Sequence, residues 1–267
     1  MNDFVRLIVL VYGLWFSPVG FAAGVIETAN GQVRAGPTAA AATAATVGQR
    51  IAAGTTLSTG PKSRAVVRFD DGQAIVLHEN SEFRVAEYSF AKEQPANDKF
   101  GFELIKGALR SVTATLTRRT PRAYSMRTAT ATMGIRGTDF MVAIVNPVFL
   151  RVLNGVVEVV CTAGAAASFA AGSAATVANA STCAVSIPFS ELPPAIAATF
   201  SELAGLVVVV DGTTVGASLA SSAAAGEITL PIALGIAGAI AAGIAAAASH
   251  GDGGSGAAGT TGPTGTR

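Results

Sequence analysis

The chain has 267 residues, 50% of them hydrophobic and 13% charged, with 18 Lys and Arg against 17 Asp and Glu. That length allows one or two domains, and a formal net charge of +1 gives no overall basic field for nucleic acid, which is not expected as a partner. The apolar excess lies at the two ends, so the middle of the chain is that of an ordinary globular protein.

Arg6 precedes an apolar run from Leu7 to Phe16, followed by a break at Ser17-Pro18 and small residues at Gly20, Ala22 and Ala23. This is the pattern of a secretory signal peptide over residues 1–23, with cleavage after Ala22 or Ala23. An uncleaved anchor is the other reading; both export the rest of the chain to the periplasm or cell surface. In an oxidising compartment Cys161 and Cys183, the only cysteines, are expected to form one disulfide.

Val25 to Val33 reads as a strand pair turning at Asn30-Gly31, and Pro37 to Thr46, mostly Ala and Thr, as a loop. Gly48, Gly54 and Gly60 punctuate short strands. Ala65 to Phe69 and Ala74 to His78 form the clearest hairpin, with Asp71-Gly72 at its turn. Phe83 to Val85 continues the pattern, and the polar stretch 91–99 with Pro95 is a surface loop. Further strands are expected at Phe102 to Ile105 and Ala108 to Val112 around Lys106-Gly107, and at Phe149 to Leu153 and Val156 to Val160 around Asn154-Gly155. Weaker strands fall near Phe169 and at Ala175 to Val177. The fold class is therefore mainly β over residues 24–187, a glycine-punctuated roll or solenoid of short strands.

Beyond Pro188 the character changes. Residues 188–229 read as a linker with a short helix, capped by Ser190 and placing Ile196, Phe200 and Leu203 on one face. Residues 230–248 carry no charge and form an Ala/Gly helix just long enough to cross a membrane; a buried or partner-binding helix is the equal alternative. The tail 249–267 reads as disordered.

Charge is unevenly placed. Apart from Arg6 and Arg267, every Lys and Arg lies between Arg34 and Arg151. Lys106, Arg110, Arg118, Arg119, Arg122, Arg127 and Arg136 follow one another with no acid between Glu103 and Asp139. The first six are candidates for binding an anionic glycan or phosphate; a solvated sheet face is the alternative. No metal or cofactor motif occurs, and no catalytic residue is assigned. His78 with Glu79 and Ser81 cannot form a triad alone, because neighbours on a strand point to opposite faces. An envelope hydrolase would need converging carboxylates or His78.

The most specific stretch is Arg127 to Phe140. There Gly134 and Gly137 bracket Ile135 and Arg136, and Thr138, Asp139 and Phe140 follow. The bracket reads as a backbone bend, with Ile135 and Phe140 in the core and Arg136 in a buried or semi-buried ion pair, Asp139 or another acid from the first half of the chain being its expected partner. In order along the chain, Gly54 to Leu57 with Thr59-Gly60, the strand Ser63 to Phe69, the Asp71-Gly72 turn, Lys106-Gly107, Arg136-Gly-Thr-Asp-Phe140 and Asn154-Gly155 resemble the FecR domain family over roughly residues 47–160. The resemblance implies a non-catalytic periplasmic β domain that senses or scaffolds. In well-known members it passes a receptor's signal through a membrane helix to a cytoplasmic sigma factor. Only six residues precede Leu7 here, so the cytoplasmic anti-sigma portion is expected to be missing. The expected partner is an envelope protein or anionic envelope polymer, with membrane association or self-association through 230–248.

Overall fold

The computed structural model describes residues 22–114, 119–178 and 183–216. The expectations for residues 1–21, 230–248 and 249–267, and for Arg118, lie outside them. The strands are β1 (Ala22–Asn30), β2 (Val33–Gly36), β3 (Thr43–Ala44), β4 (Arg50–Ala52), β5 (Thr56–Thr59), β6 (Arg64–Phe69), β7 (Ala74–Leu77) and β8 (Glu82–Ser89). They continue with β9 (Lys99–Val112), β10 (Tyr124–Arg127), β11 (Ala131–Ile144), β12 (Val148–Cys161), β13 (Ala166–Ala170), β14 (Ala174–Val177) and β15 (Val185–Ile187). Helix α1 (Pro194–Gly205) and a small hairpin, β16 (Val208–Val210) and β17 (Thr213–Val215), complete the described chain.

The turn chemistry acts as expected at Gly31 and Gly72, which take φ of 77° and 92°. Strand β6 alternates half-buried and buried residues, and pairs antiparallel with β7 from Ala65–Leu77 to Arg68–Ala74. The expected loop at 37–46 holds only the two-residue β3.

Three long strands depart from the expectation of short ones. Lys106-Gly107 and Asn154-Gly155 do not separate strands; β9 and β12 run straight through them, and β11 runs through Gly137. Gly107, Gly137 and Gly155 all have positive φ, of 80°, 56° and 77°. A residue in that conformation bends a strand without reversing it. Each long strand thereby serves two layers. The first part of β9 pairs with β8 and β10, and its second part with β7 and β11. The second part of β12 holds β13, and its first part β14. Among the described residues only the β9–β10 pairing is parallel. A solenoid stacks its strands in parallel, rung upon rung, so the mainly β expectation holds in the form of a bent-strand roll, with no closed barrel.

Between the layers lies a core crossed by a chain of rings. Phe83–Phe102, Phe102–Tyr124 and Tyr124–Phe140 have centroids 5.7, 5.5 and 6.3 Å apart. Each such pair contributes about 0.5–1.5 kcal/mol beyond its buried area. Ile135 and Phe140 belong to this core, as the bend predicts.

One layer is covered on its outer face as well. Ile196, Phe200 and Leu203 of α1, with Val208 and Val210, pack on Val76, Val112 and Met141. Residues 188–216 are thus part of the same packed unit and not a linker. The expected helical face is correct, but the start is not: α1 begins at Pro194, after a separate turn at Phe189–Glu191. A residue before proline avoids helical angles, which keeps Leu192 and Pro193 extended, while proline suits the first helical position.

Candidate functional site

The corner in β11 determines which charges are inside. Gly134 is not part of it: it sits in regular register opposite Glu158, without positive φ, and nothing lies within 4 Å of where its Cβ would be. Gly137 and Gly155 make the corner together. A Cβ on Gly155 would strike the carbonyl oxygens of Gly137 and Arg136 and the Thr138 methyl. The Thr138 amide donates to Thr113 Oγ1 at 2.8 Å, and that hydroxyl donates to the Thr138 carbonyl at 2.8 Å, which pins the corner to the end of β9.

Arg136 therefore points outward. It is exposed and forms no ion pair among the described residues, which overturns the buried pair expected of it. The partner of Asp139 is Arg110. Its Nε and Nη2 donate to the two carboxylate oxygens at 2.8 and 2.6 Å, and the two side chains are 1% and 8% exposed. Arg110 Nη1 donates to the carbonyls of Leu203, Ala204 and Leu206 at 3.0, 3.3 and 2.8 Å. These carbonyls lie at and just beyond the end of α1, where the helix dipole also favours a cation; that of Leu203 accepts the Leu206 amide as well. His78 Nε2 lies 3.0 Å from Glu202 Oε2 on the same helix, and Arg64 lies 3.7 Å from it. The C-terminal segment is held to the sheet by this clasp.

The basic tract does not form one patch. Arg110 is internal, and Lys106 stands 3.7 Å from Glu82. Arg127 is exposed on β10, beside Glu103 in register. Arg119 donates to Asp98 at 3.1 and 3.2 Å and to the carbonyls of Lys92 and Ala91, with its guanidinium over the Phe90 ring. Asp98, its side chain fully buried, also accepts from the Ala91 amide and the Thr120 hydroxyl. The loop expected to be a plain surface segment is therefore stapled to the basic turn.

A third buried acid stands at the Asp71-Gly72 turn. Asp71, fully buried, accepts from Tyr88 Oη at 3.1 Å, and its amide donates to the same oxygen. Burial first, and then Asp71, pushes the Tyr88 phenol far above its ordinary value. Tyr124, hydrogen-bonded to Ser111, is likewise raised by burial. Nothing in the local sequence around the Asp71-Gly72 turn announces a tyrosine seventeen residues on as its partner.

Above the outer face of β11, β12 and β13 lies a cleft of about 900 Å³. Its floor includes Gly134, Arg136, Glu158 and Ser168, and its wall the Asp98–Arg119 staple with Thr120 and Arg122. Arg122 is exposed. Of the sequence candidates, Gly134, Arg136, Arg119 and Arg122 meet here; Lys106, Arg110 and Arg127 do not. Among the described residues no group of three or more His, Cys, Asp and Glu is placed to hold a metal ion, and no helix is long and apolar enough to cross a membrane. Cys161 and Cys183 are bonded, with Cα atoms 5.5 Å apart, which fits an exported protein.

The fold and this site define a β-roll module whose charged residues hold shape and line a cleft. Residues 55–166 match the family described as FecR protein. Two crystal structures of a proposed anti-sigma factor from Parabacteroides distasonis ATCC 8503 are similar to the chain, at 17% and 18% identity with TM-scores of 0.40 and 0.41. In both, the match covers 49% of this chain and 58% of that one. No curated protein matches the chain.

Proposed function

We propose that this chain is a non-catalytic sensing or regulatory module of the cell envelope, acting by binding an envelope protein or an anionic envelope polymer. The observation that carries the reading is the match to the FecR family at 55–166. The charged core supports it. Three buried acids, Asp71, Asp98 and Asp139, are each engaged by Tyr88, Arg119 and Arg110, and His78 is engaged by Glu202. On this reading the clasp keeps the C-terminal segment in step with the domain, and residues 230–248 tether the protein or join copies of it.

Fractionation of cells expressing the full chain tests this, with alkylation to report free thiols. The expected outcome is an extracytoplasmic protein whose cysteines react only after reduction, and which deletion of 230–267 releases from membranes. A cytosolic protein with free thiols would overturn the envelope role. Unchanged membrane association after the deletion would overturn the tether.

A further inference from the structure

The two outer faces of the roll are unequal. Helix α1 and its neighbours cover one, while on the other Arg136, Glu158 and Ser168 face the open cleft. We propose that this cleft binds an oxyanion group, phosphate or carboxylate, between Arg122 and Arg136.

The floor is shaped for an occupant. Ser168, Glu158 and Gly134 stand side by side across β13, β12 and β11. Because Gly134 has no side chain and open space above it, the row dips at that point. Arg136, two residues further along β11, lies on the same face beside the dip. The wall is fixed in advance. Asp98 holds Arg119, Thr120 and the Ala91 amide before Arg122, and β10 pairs with β9 directly after it, so the turn that carries Arg122 is fastened on both sides. Fixing the wall before binding lowers the ordering cost of binding.

The charges favour an anion. Among the described residues lining the cleft, Arg119 and Asp98 neutralise each other, which leaves Arg122 and Arg136 against Glu158. A guanidinium offers two parallel N–H donors to an oxyanion, the geometry phosphate and carboxylate share. Glu158 then suits a neighbouring hydroxyl of the ligand. This site depends neither on where the protein resides nor on its being a regulator.

Calorimetric titration of the full chain with inorganic phosphate, and separately with galacturonate, at low and high salt, tests the proposal. One probe or both is expected to saturate a single site that salt weakens. Phosphate alone assigns a phosphate ligand and galacturonate alone a carboxylate sugar. R122A with R136A is expected to weaken binding by about tenfold or more, the loss of charged hydrogen bonds. R127A, an exposed arginine outside the cleft, should leave it unchanged. Gly134→Leu, which keeps both arginines and fills open space, should fold by thermal melting and bind weakly. No saturation by either probe, or equal loss in R127A and the double variant, would sink the proposal.

Discussion

Arg110 and Asp139 form a two-point ion pair between β9 and β11, and the nitrogen left over on Arg110 closes the end of α1. One side chain thus joins the two central strands to the segment that follows the sheet. Removing one member of a buried pair strands the other charge and costs about 3–5 kcal/mol. Arg110→Met should lower stability by that amount in urea unfolding and make residues after 187 the first site of limited proteolysis. Arg110→Met combined with Asp139→Leu should be milder than either alone. An additive double variant would show that the pair is not coupled.

The corner glycines and Gly134 should behave oppositely. Gly155→Ala forces a Cβ into two carbonyl oxygens at positive φ and should cost more than about 1 kcal/mol. Gly134→Ala, at ordinary φ with open space, should change stability by less than about 0.5 kcal/mol. Thermal melting distinguishes them, and equal effects would contradict the assignment of the bend to Gly137 and Gly155.

The disulfide closes a loop with a sequence separation of 22. Cys161→Ser with Cys183→Ser should lose roughly 3 kcal/mol on the chain-entropy account. The midpoint of urea unfolding, with and without reductant, measures it. A reductant effect on the double variant as large as on the parent would rule out the bond as its source.

Alkali should unfold the protein through its tyrosines. Tyr88 and Tyr124 have raised values in the folded state, both chiefly from burial. The folded state therefore holds their protons more tightly than the unfolded state. Their contribution is complete below the ordinary phenol value of about 10 and is lost as the pH climbs above it. Tyrosinate absorbance should show these two ionising only together with unfolding, and Tyr88→Phe should flatten the alkaline fall in stability. Free titration of both in the folded protein would refute the burial account.

Local patterns in the sequence carry much of the fold. The alternation around Asp71-Gly72 and the 196, 200, 203 face of the helix each depend on neighbours a few residues away, and both are found. The site was less legible. An arginine flanked by glycines looks like the partner of the aspartate three residues on, but the corner turns Arg136 out and brings in Arg110 from another strand. Asp98 and Arg119, and Asp71 and Tyr88, are likewise joined only by folding. The acid-free tract was a true feature of sequence but not of the surface, because Arg110 went to the core and Arg119 to a buried ion pair in a wall, while Arg127 and Arg136 stayed exposed.

The corners also exchange the parity of the chain. Along β11 the core takes the odd residues Ala131, Met133 and Ile135, then the even ones Phe140 and Val142. In β9 it takes Phe100, Phe102 and Leu104, then Leu109; in β12, Val148, Leu150 and Val152, then Val157 and Val159. Each long strand is two phases of one code, switched at a glycine. Losing or gaining a single residue at any of these three points would turn half of a strand inside out, aromatic residues to water and charges to the core. A change of length that keeps the core intact therefore belongs in the loops, and the glycines act as phase marks as much as bends.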